Sequence, residues 1–444
     1  MISIRYYQLH ARKARRTPEQ QRLQISLTLP HPQVPTPSLM NLNTNRTKFD
    51  GASRKRWTLM VPILCLVFSA GILSLTPVIG AGGGPLKSRS KLQIINGSDQ
   101  PIDIFWLQSA GVRVKNGSVA PGQDSIIFTS PGHQFEIVAR DAKSSITVTS
   151  EVPVQGVRFE PKGEDGVPAF YTQRVSASGF PITASKNVNP YALKEAAYLV
   201  DMMLAKRPDV RAAMIKSGAR MCIMAHGEYT TDLPEFVRLA GEKMPDFPSM
   251  PAKDFWDARA RGLGGSEQDP LCSAAEENVL GYPGDPYASE CILIHEFAHN
   301  IHLRGLLNVD PTFDQRLKDT YHAAMKAGLW KGKYAATNHH EYFAEGVQSW
   351  FDDNRVNDHD HNHVHLRSQL LEYDPGLAAM CREVFGDTEL KYTKPATRLT
   401  GHMAGYDPAQ APTFAWPDRL QKAKDEIKAK AQARDKAANG ESKR

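Results

Sequence analysis

His295-Glu296-Phe297-Ala298-His299 lies inside an apolar, helix-compatible run from Ile292 to Ile301, and it decides what kind of domain the C-terminal half of this chain forms. On a helix, residues i and i+4 project from one face. The two imidazoles can then share one zinc ion while Glu296 stands beside the reacting water. Downstream, Tyr334-Ala-Ala-Thr-Asn-His-His-Glu341-Tyr-Phe-Ala-Glu345-Gly-Val-Gln-Ser-Trp350-Phe351 carries a helical pattern with two glutamates one turn apart. A catalytic zinc takes three protein ligands and keeps one position open, and Glu341 or Glu345 can supply the third. His339 and His340 are weaker candidates, because a histidine just before Glu341 points away from the Glu341 face of the helix.

The HEFAH helix, then Tyr334, then a glutamate seven residues later in an EYFAE run resembles the zinc peptidase domain of anthrax-lethal-factor-like proteins, a glutamate-zincin group. The resemblance spans roughly residues 190–417 and is specific over residues 285–351. It implies Zn²⁺ held by His295, His299 and Glu341, with Glu296 as general base and Tyr334 as the phenol facing the reacting carbonyl. By the same pattern Glu345 is the acceptor that fixes the tautomer of a ligand histidine.

Upstream, Trp57 to Ala81 is an almost unbroken apolar run without a charge, preceded by Arg54-Lys55-Arg56 and followed by Gly82-Gly83-Gly84-Pro85. Two readings stay open: a single membrane anchor, or a long signal peptide cleaved near Ala81. Both leave the zinc site outside the cytoplasm. Residues 1–56 are basic and carry the proline-rich Pro30-His-Pro-Gln-Val-Pro-Thr-Pro37, the composition of a disordered region. The positive balance of the chain sits at its ends, so its body is not that of a nucleic-acid-binding protein. Cys222, Cys272, Cys291 and Cys381 follow the apolar run, an even number compatible with two disulfides in an exported protein.

Residues 87–160 alternate in short β-rich runs, at Leu92–Ile95, Ile102–Trp106, Ser125–Phe128, Phe135–Val138 and Ile146–Thr149, separated by Asn-Gly, Pro-Gly and Asp turns. This reads as a small antiparallel sandwich. The pattern Pro101-Ile-Asp-Ile-Phe-Trp106, Pro121-Gly122, Gly132-His133 and Arg140-Asp141 is similar to the β-domain of the von Hippel–Lindau tumour-suppressor family, which binds hydroxyproline peptides. Thr129 and His133 fall where that family has polar pocket residues, whereas Phe135 stands where a tryptophan is expected and Asn116 near where a tyrosine is. The resemblance implies a peptide ligand for the sandwich, against a plain sandwich that docks on the catalytic domain.

Residues 161–189, with Gly163-Glu-Asp-Gly166 and Ser176-Ala-Ser-Gly179, read as a linker into a catalytic domain over 190–417. Within it, Pro190–Arg207 has amphipathic helical spacing, and Met221–Ala225 is a buried-strand candidate, expected with the polar loop after it to form the wall of a substrate cleft.

Arg261-Gly-Leu-Gly-Gly265 reads as a flexible turn near the active site, and Asp358-His-Asp-His-Asn-His-Val-His365 as a hydrogen-bonded loop or a second, structural metal site. Residues 418–444 form a charged, helix-prone tail with little to bury. Together these features predict a multidomain protein: a small antiparallel β-sandwich followed by an α+β zincin-like metallopeptidase domain. Its expected partners are a protein or peptide substrate, a peptide ligand on the sandwich, and the membrane through residues 57–81 if uncleaved. The alternatives are a binding protein on a non-catalytic zincin scaffold, and a zinc amidase acting on non-peptide substrates.

Overall fold

The computed structural model describes residues 89–108 and 111–441. The basic region over 1–56 and the apolar run Trp57–Ala81 lie outside them. Among the described residues, no helix is long and apolar enough to cross a membrane.

Seven strands come first: β1 (Ser90–Asn96), β2 (Ile102–Leu107), β3 (Arg113–Val119), β4 (Asp124–Thr129), β5 (Gln134–Ala139), β6 (Ser145–Thr149) and β7 (Val154–Phe159). They form a four-stranded sheet in the order β3-β2-β5-β6 and a three-stranded sheet in the order β4-β1-β7. Period-two alternation turns Phe135, Ile137 and Ala139 of β5 inward. They meet Leu92, Ile94, Ile102, Ile104 and Phe159 in an apolar core. The sandwich departs from the expected antiparallel one in one pairing, because β1 runs parallel to β7. β3 escapes a period-two reading because it is largely exposed and bulges opposite Ile104 and Phe105.

The expected linker is not one throughout. Its second half forms β8 (Gln173–Ala177) and β9 (Phe180–Ala184), an antiparallel hairpin. The stretch that resembles a flexible Ser/Gly connection is a two-residue turn in which Ser178 (φ 48°) and Gly179 (φ 96°) both take positive φ, as the twist of a tight hairpin favours. β9 pairs in parallel with β10 (Arg220–Met224), and β10 with β12 (Leu271–Ala275); β11 (Gly262–Leu263) closes the other edge antiparallel to β12. Met221–Ala225 therefore belongs to the middle of a five-stranded sheet in the order β11-β12-β10-β9-β8, and the free edge beside the candidate site belongs to β11. β10 is buried at every position, which suits a central parallel strand.

Helices cover this sheet. α1 (Pro190–Met203) starts with proline at its first position under the cap of Asn189, whose side chain accepts from Tyr191 N at 3.0 Å. α2 (Pro208–Lys216) and α3 (Ala252–Arg259) follow, then the short α4 (Glu276–Leu280). α5 (Ile292–Asn300) carries the HEFAH sequence and packs on β12. Phe297 of α5 meets Phe180 of β9 edge to face, with ring centroids 5.2 Å apart. A π-helical stretch, Ile301–Leu306, continues α5. α6 (Phe313–Lys326) and α7 (His339–Trp350) complete the region around the site, and α8 (Arg367–Tyr373) and α9 (Pro375–Phe385) pack behind α7.

The sandwich is fastened just beyond α5. Asn308 makes a reciprocal pair with the backbone of Val154 on β7, at 2.7 and 3.0 Å. The buried Arg304 reaches Ser217 O, and Gly156 N donates to the same carbonyl at 2.9 Å.

The tail also differs from expectation. α10 (Asp418–Glu441) buries Leu420, Ala423 and Ile427, packs on α3 and pairs Arg419 with Asp254, so one face of it is part of the fold. An apolar residue only every third or fourth position in a Lys/Ala-rich text gives a stripe too narrow to stand out from composition.

Candidate metal centre

α7 is positioned by its cap. Asn338 accepts from His340 N at 2.8 Å and Glu341 N at 3.0 Å, and every residue from Glu341 to Trp350 is buried. The start of α5 is fixed by two buried side chains: Asn278 accepts from Ile292 N at 2.8 Å and Asp353 from Cys291 N at 2.8 Å. These caps hold the two helices face to face.

Three buried atoms meet between them. His295 Nε2 lies 3.1 Å from Glu341 Oε2, His299 Nε2 lies 3.3 Å from the same oxygen, and the two Nε2 atoms are 3.2 Å apart. Ligands bound to one tetrahedral zinc at 2.0–2.1 Å are separated by about 3.3 Å. The three atoms therefore outline one face of such a tetrahedron. The proton inventory gives a second test. His295 Nδ1 lies 2.8 Å from Gln348 Oε1, and the Gln348 amide is oriented by its own Nε2 donating to Glu290 Oε2 at 2.9 Å. With Nδ1–H donated to Gln348, neutral His295 offers an Nε2 lone pair to a cation, and a proton in the cation's place points at the Glu341 oxygen. Glu341 Oε1 and His299 Nδ1 are buried with no hydrogen-bond partner. An arrangement of lone pairs facing one another in a buried space fits a cation, and the donor set of two imidazoles and one carboxylate suits zinc.

Electrostatics agree with this demand for positive charge. Burial alone would lower the His295 imidazole, but the hydrogen bond to Glu341 and the charges of Glu296, Glu341 and Glu345 push it up to about 10. Burial would raise Glu341, yet His299 and His295 pull it well below the usual carboxylate range. Glu296 projects from α5 beside this cluster and is only partly buried; burial, with the Glu341 charge, raises its carboxyl against the pull of His295 and His299.

Tyr334 opens a short 3-10 turn and brings its ring to 6.1 Å from that of His295, centroid to centroid. Burial, followed by the charges of Glu341 and Glu296, pushes its phenol well above the ordinary value, so it stays a proton donor at neutral pH.

Glu345 is not the acceptor for His295. Its Oε1 stands 3.7 Å from His295 Nδ1, whereas Gln348 Oε1 is at 2.8 Å. The physical reason is reach along the helix: Gln348, seven residues after Glu341, lies two turns on along the same face. Glu345 instead receives Asn354 Nδ2 at 3.0 Å and pairs with His361 Nε2 at 3.3 Å. Behind Gln348, Glu290 is ion-paired with Arg355 at 3.0 Å. Gln348, Glu290 and Arg355 were not legible as site residues, although the i+7 spacing of Gln348 was available to find it.

The glycine-rich stretch after Arg261 is a wall of the site rather than a flexible turn. Arg261 is buried, clasps Glu277 with Nε at 2.6 Å and Nη2 at 3.1 Å, and stacks over the rings of Tyr229 and Phe414. β11 follows at once, and no strand pairs with its outer edge among the described residues. A Cβ on Gly264 would stand 2.7 Å from His299 Cδ2 and 3.0 Å from Glu296 Oε2. Only glycine lets the backbone lie this close to Glu296 and His299.

Other histidines and the cysteines lie outside this cluster. His226 pairs with Glu276 Oε1 at 2.8 Å. The histidine-rich segment is a hydrogen-bonded loop: His361 Nδ1 lies 2.8 Å from Asp358 Oδ1, and His359 Nδ1 2.9 Å from Asp360 Oδ1. Cys222, Cys272, Cys291 and Cys381 are free and buried rather than paired in disulfides. Burial raises every one of these thiols, that of Cys272 to about 12, which suppresses the reactive thiolate. On the sandwich, Thr129 Oγ1 lies 2.8 Å from His133 Nδ1, and His133 packs against Trp106.

Comparison with models of known protein families finds no match. Comparison with curated proteins finds no significant match either.

Proposed function

We propose that the chain is a zinc-dependent metallopeptidase in which His295, His299 and Glu341 hold the metal and Glu296 is the general base. The observation that carries this reading is the triangle of buried ligand atoms at 3.1, 3.2 and 3.3 Å with a carboxylate beside it. When bound, zinc supplies a Lewis acid that acidifies water and polarises a carbonyl. Glu296 takes the proton from the attacking water and passes it to the leaving amine. Its raised pKa brings it nearer to neutral operating conditions than an ordinary glutamate. The protonated Tyr334 hydroxyl donates to the oxyanion that develops on the carbonyl. Gln348, backed by Glu290 and Arg355, keeps His295 in the tautomer that offers Nε2 to the metal.

Peptide bonds are the favoured substrate class because of β11. A free strand edge beside Glu296 can pair with an extended chain through backbone hydrogen bonds. This supports a peptidase over an amidase for non-peptide links. The intact base beside three ligands argues against a purely structural zinc, which closes its fourth position with a protein ligand. The zincin assignment also draws on the resemblance of residues 285–351 to lethal-factor-like peptidases. Placement outside the cytoplasm, as a membrane-anchored or secreted enzyme, rests on the sequence of residues 57–81 alone.

The test incubates the 444-residue protein and its Glu296→Gln variant with a proteome-derived peptide library and reads new termini by mass spectrometry. The expected result is cleavage by the parent, with turnover reduced by about 10² to 10⁴ in the variant, the usual worth of a general base. Equal cleavage by both proteins would remove Glu296 from the chemistry.

A further inference from the structure

Next to the first cluster, the same helices assemble a second set of ligand-type side chains. The π-helical continuation of α5 brings His302, α6 brings Asp314, and the first turn of α7 brings His340; one ligand atom from each lies within 4.8 Å of the others. His302 is fully buried. Its Nε2 stands 3.3 Å from Asp314 Oδ1 yet makes no hydrogen bond, whereas its other ring nitrogen, Nδ1, is engaged by His340 Nδ1 at 3.4 Å. The other carboxylate oxygen of Asp314 is held by Lys318 Nζ at 2.5 Å, and His339 Nε2 approaches Oδ1 at 2.9 Å. Aromatic rings surround the group, with the His302 ring 5.6 Å from that of Phe313 and 5.7 Å from that of Phe343.

A buried imidazole nitrogen that makes no hydrogen bond is destabilising. Phe313 and Phe343 offer His302 Nε2 no acceptor, and its polar neighbour is the Asp314 carboxylate at 3.3 Å. The 3.3 Å between His302 Nε2 and Asp314 Oδ1 is the separation of two ligands on one ion at 2.0–2.1 Å. Lys318 orients Asp314 so that its remaining oxygen faces the imidazoles. The helix is also locally π-wound over Ile301–Leu306, a deformation that recurs at functional sites and here sets the direction of His302.

From this geometry we propose that His302, Asp314 and His340 form a second divalent-metal site, separate from His295–His299–Glu341 and selective for ions that accept imidazole and carboxylate together, zinc foremost. His339 supports it through Asp314. The ion ties the continuation of α5 to α6 and to the start of α7. Because α5 and α7 carry the residues of the first centre, occupation of the second site fixes the spacing of those two helices. The proposal concerns metal binding only and stands independently of peptidase activity.

The test strips the 444-residue protein of metal, dialyses it against buffered zinc and counts bound zinc by mass spectrometry. The parent is expected to bind two zinc ions, Asp314→Asn and His340→Gln one each, and His299→Ala one. Asp314 is partly exposed, so its isosteric replacement is the variant least prone to misfold; the circular dichroism of each variant checks this. If Asp314→Asn and His340→Gln both bind as many ions as the parent, the cluster is a hydrogen-bonded one and the proposal is overturned. A parent that binds one ion, lost in Asp314→Asn and kept in His299→Ala, would uphold the second site and defeat the first.

Discussion

The sandwich and the α5–α7 seam bury very different things. The sandwich core is aliphatic and aromatic, and its buried Asn96 donates to Val119 O at 3.0 Å and to Gln100 O at 2.8 Å, while the unpartnered atoms of the sandwich are neutral ones, the Ser90 and Ser150 hydroxyls and the Gln93 amide oxygen. The seam buries His295, His299, Glu341, Glu345, Gln348 and Glu290 within a few turns of two helices, and leaves Glu341 Oε1 and His299 Nδ1 without partners. Buried charges and unsatisfied polar atoms cost stability, whereas buried methyl groups provide it. The first region is built for folding; the second keeps a costly constellation that has a use only if something binds there.

Substitutions can break this contrast or sharpen it. After Glu296→Gln, the largest effect is expected at Tyr334→Phe, which keeps the ring and removes the oxyanion donor. Turnover should fall by about 10² to 10³ with metal content unchanged, measured by steady-state cleavage beside metal analysis; an unchanged turnover would remove the phenol from the site. Ile137→Ala in the sandwich should cost about 3 kcal/mol of stability in chemical denaturation and leave zinc affinity alone. A loss of zinc affinity there would mean that the two regions are not separable. Gln348→Leu, a truncation inside the seam, should weaken zinc about 10- to 100-fold in competition with a chelator, and more than Glu345→Gln does. The reverse order would restore Glu345 as the partner of His295.

The most gradual effect is a pH dependence. Asp285 is buried, accepts from Asn278 Nδ2 at 3.0 Å and Tyr287 N at 2.9 Å, and is raised by burial to about 6 from an ordinary value near 4. A carboxyl with a raised folded-state pKa opposes folding when ionised. Its cost is absent below about pH 4, grows through the interval up to pH 6 and is complete above it, at most about 2–3 kcal/mol. Asp285→Asn takes an acceptor from Asn278, so its Tm is lower at every pH. The gap between variant and parent should nevertheless narrow as pH rises from 4 to 7, and a constant gap would contradict the shift.

The clustering of His295, His299 and Glu341 with Glu296 beside them was legible because a helix repeats its faces every three to four residues, so His295, Glu296 and His299 announce their geometry from adjacent positions, and Glu341 stands out in a second such helix. The sandwich strands with a buried face were legible for the equivalent reason at period two. What escaped has physical causes. Gly262, Gly264 and Gly265 read as a turn because glycine signals conformational freedom, when here the missing side chains of Gly262 and Gly264 make room for Glu296 and His299 and that of Gly265 for Asn300. Ser178-Gly179 marked a tight hairpin and not the middle of a linker. His302, Asp314 and His340 come from three segments with no spacing rule among them, so only folding brings them together.

The most direct test of the central claim is bound zinc in the parent, in Glu296→Gln and in Glu341→Ala. The account predicts that Glu296→Gln keeps the full complement and Glu341→Ala loses one ion per chain. Equal zinc in all three proteins, or none in the parent, would contradict it.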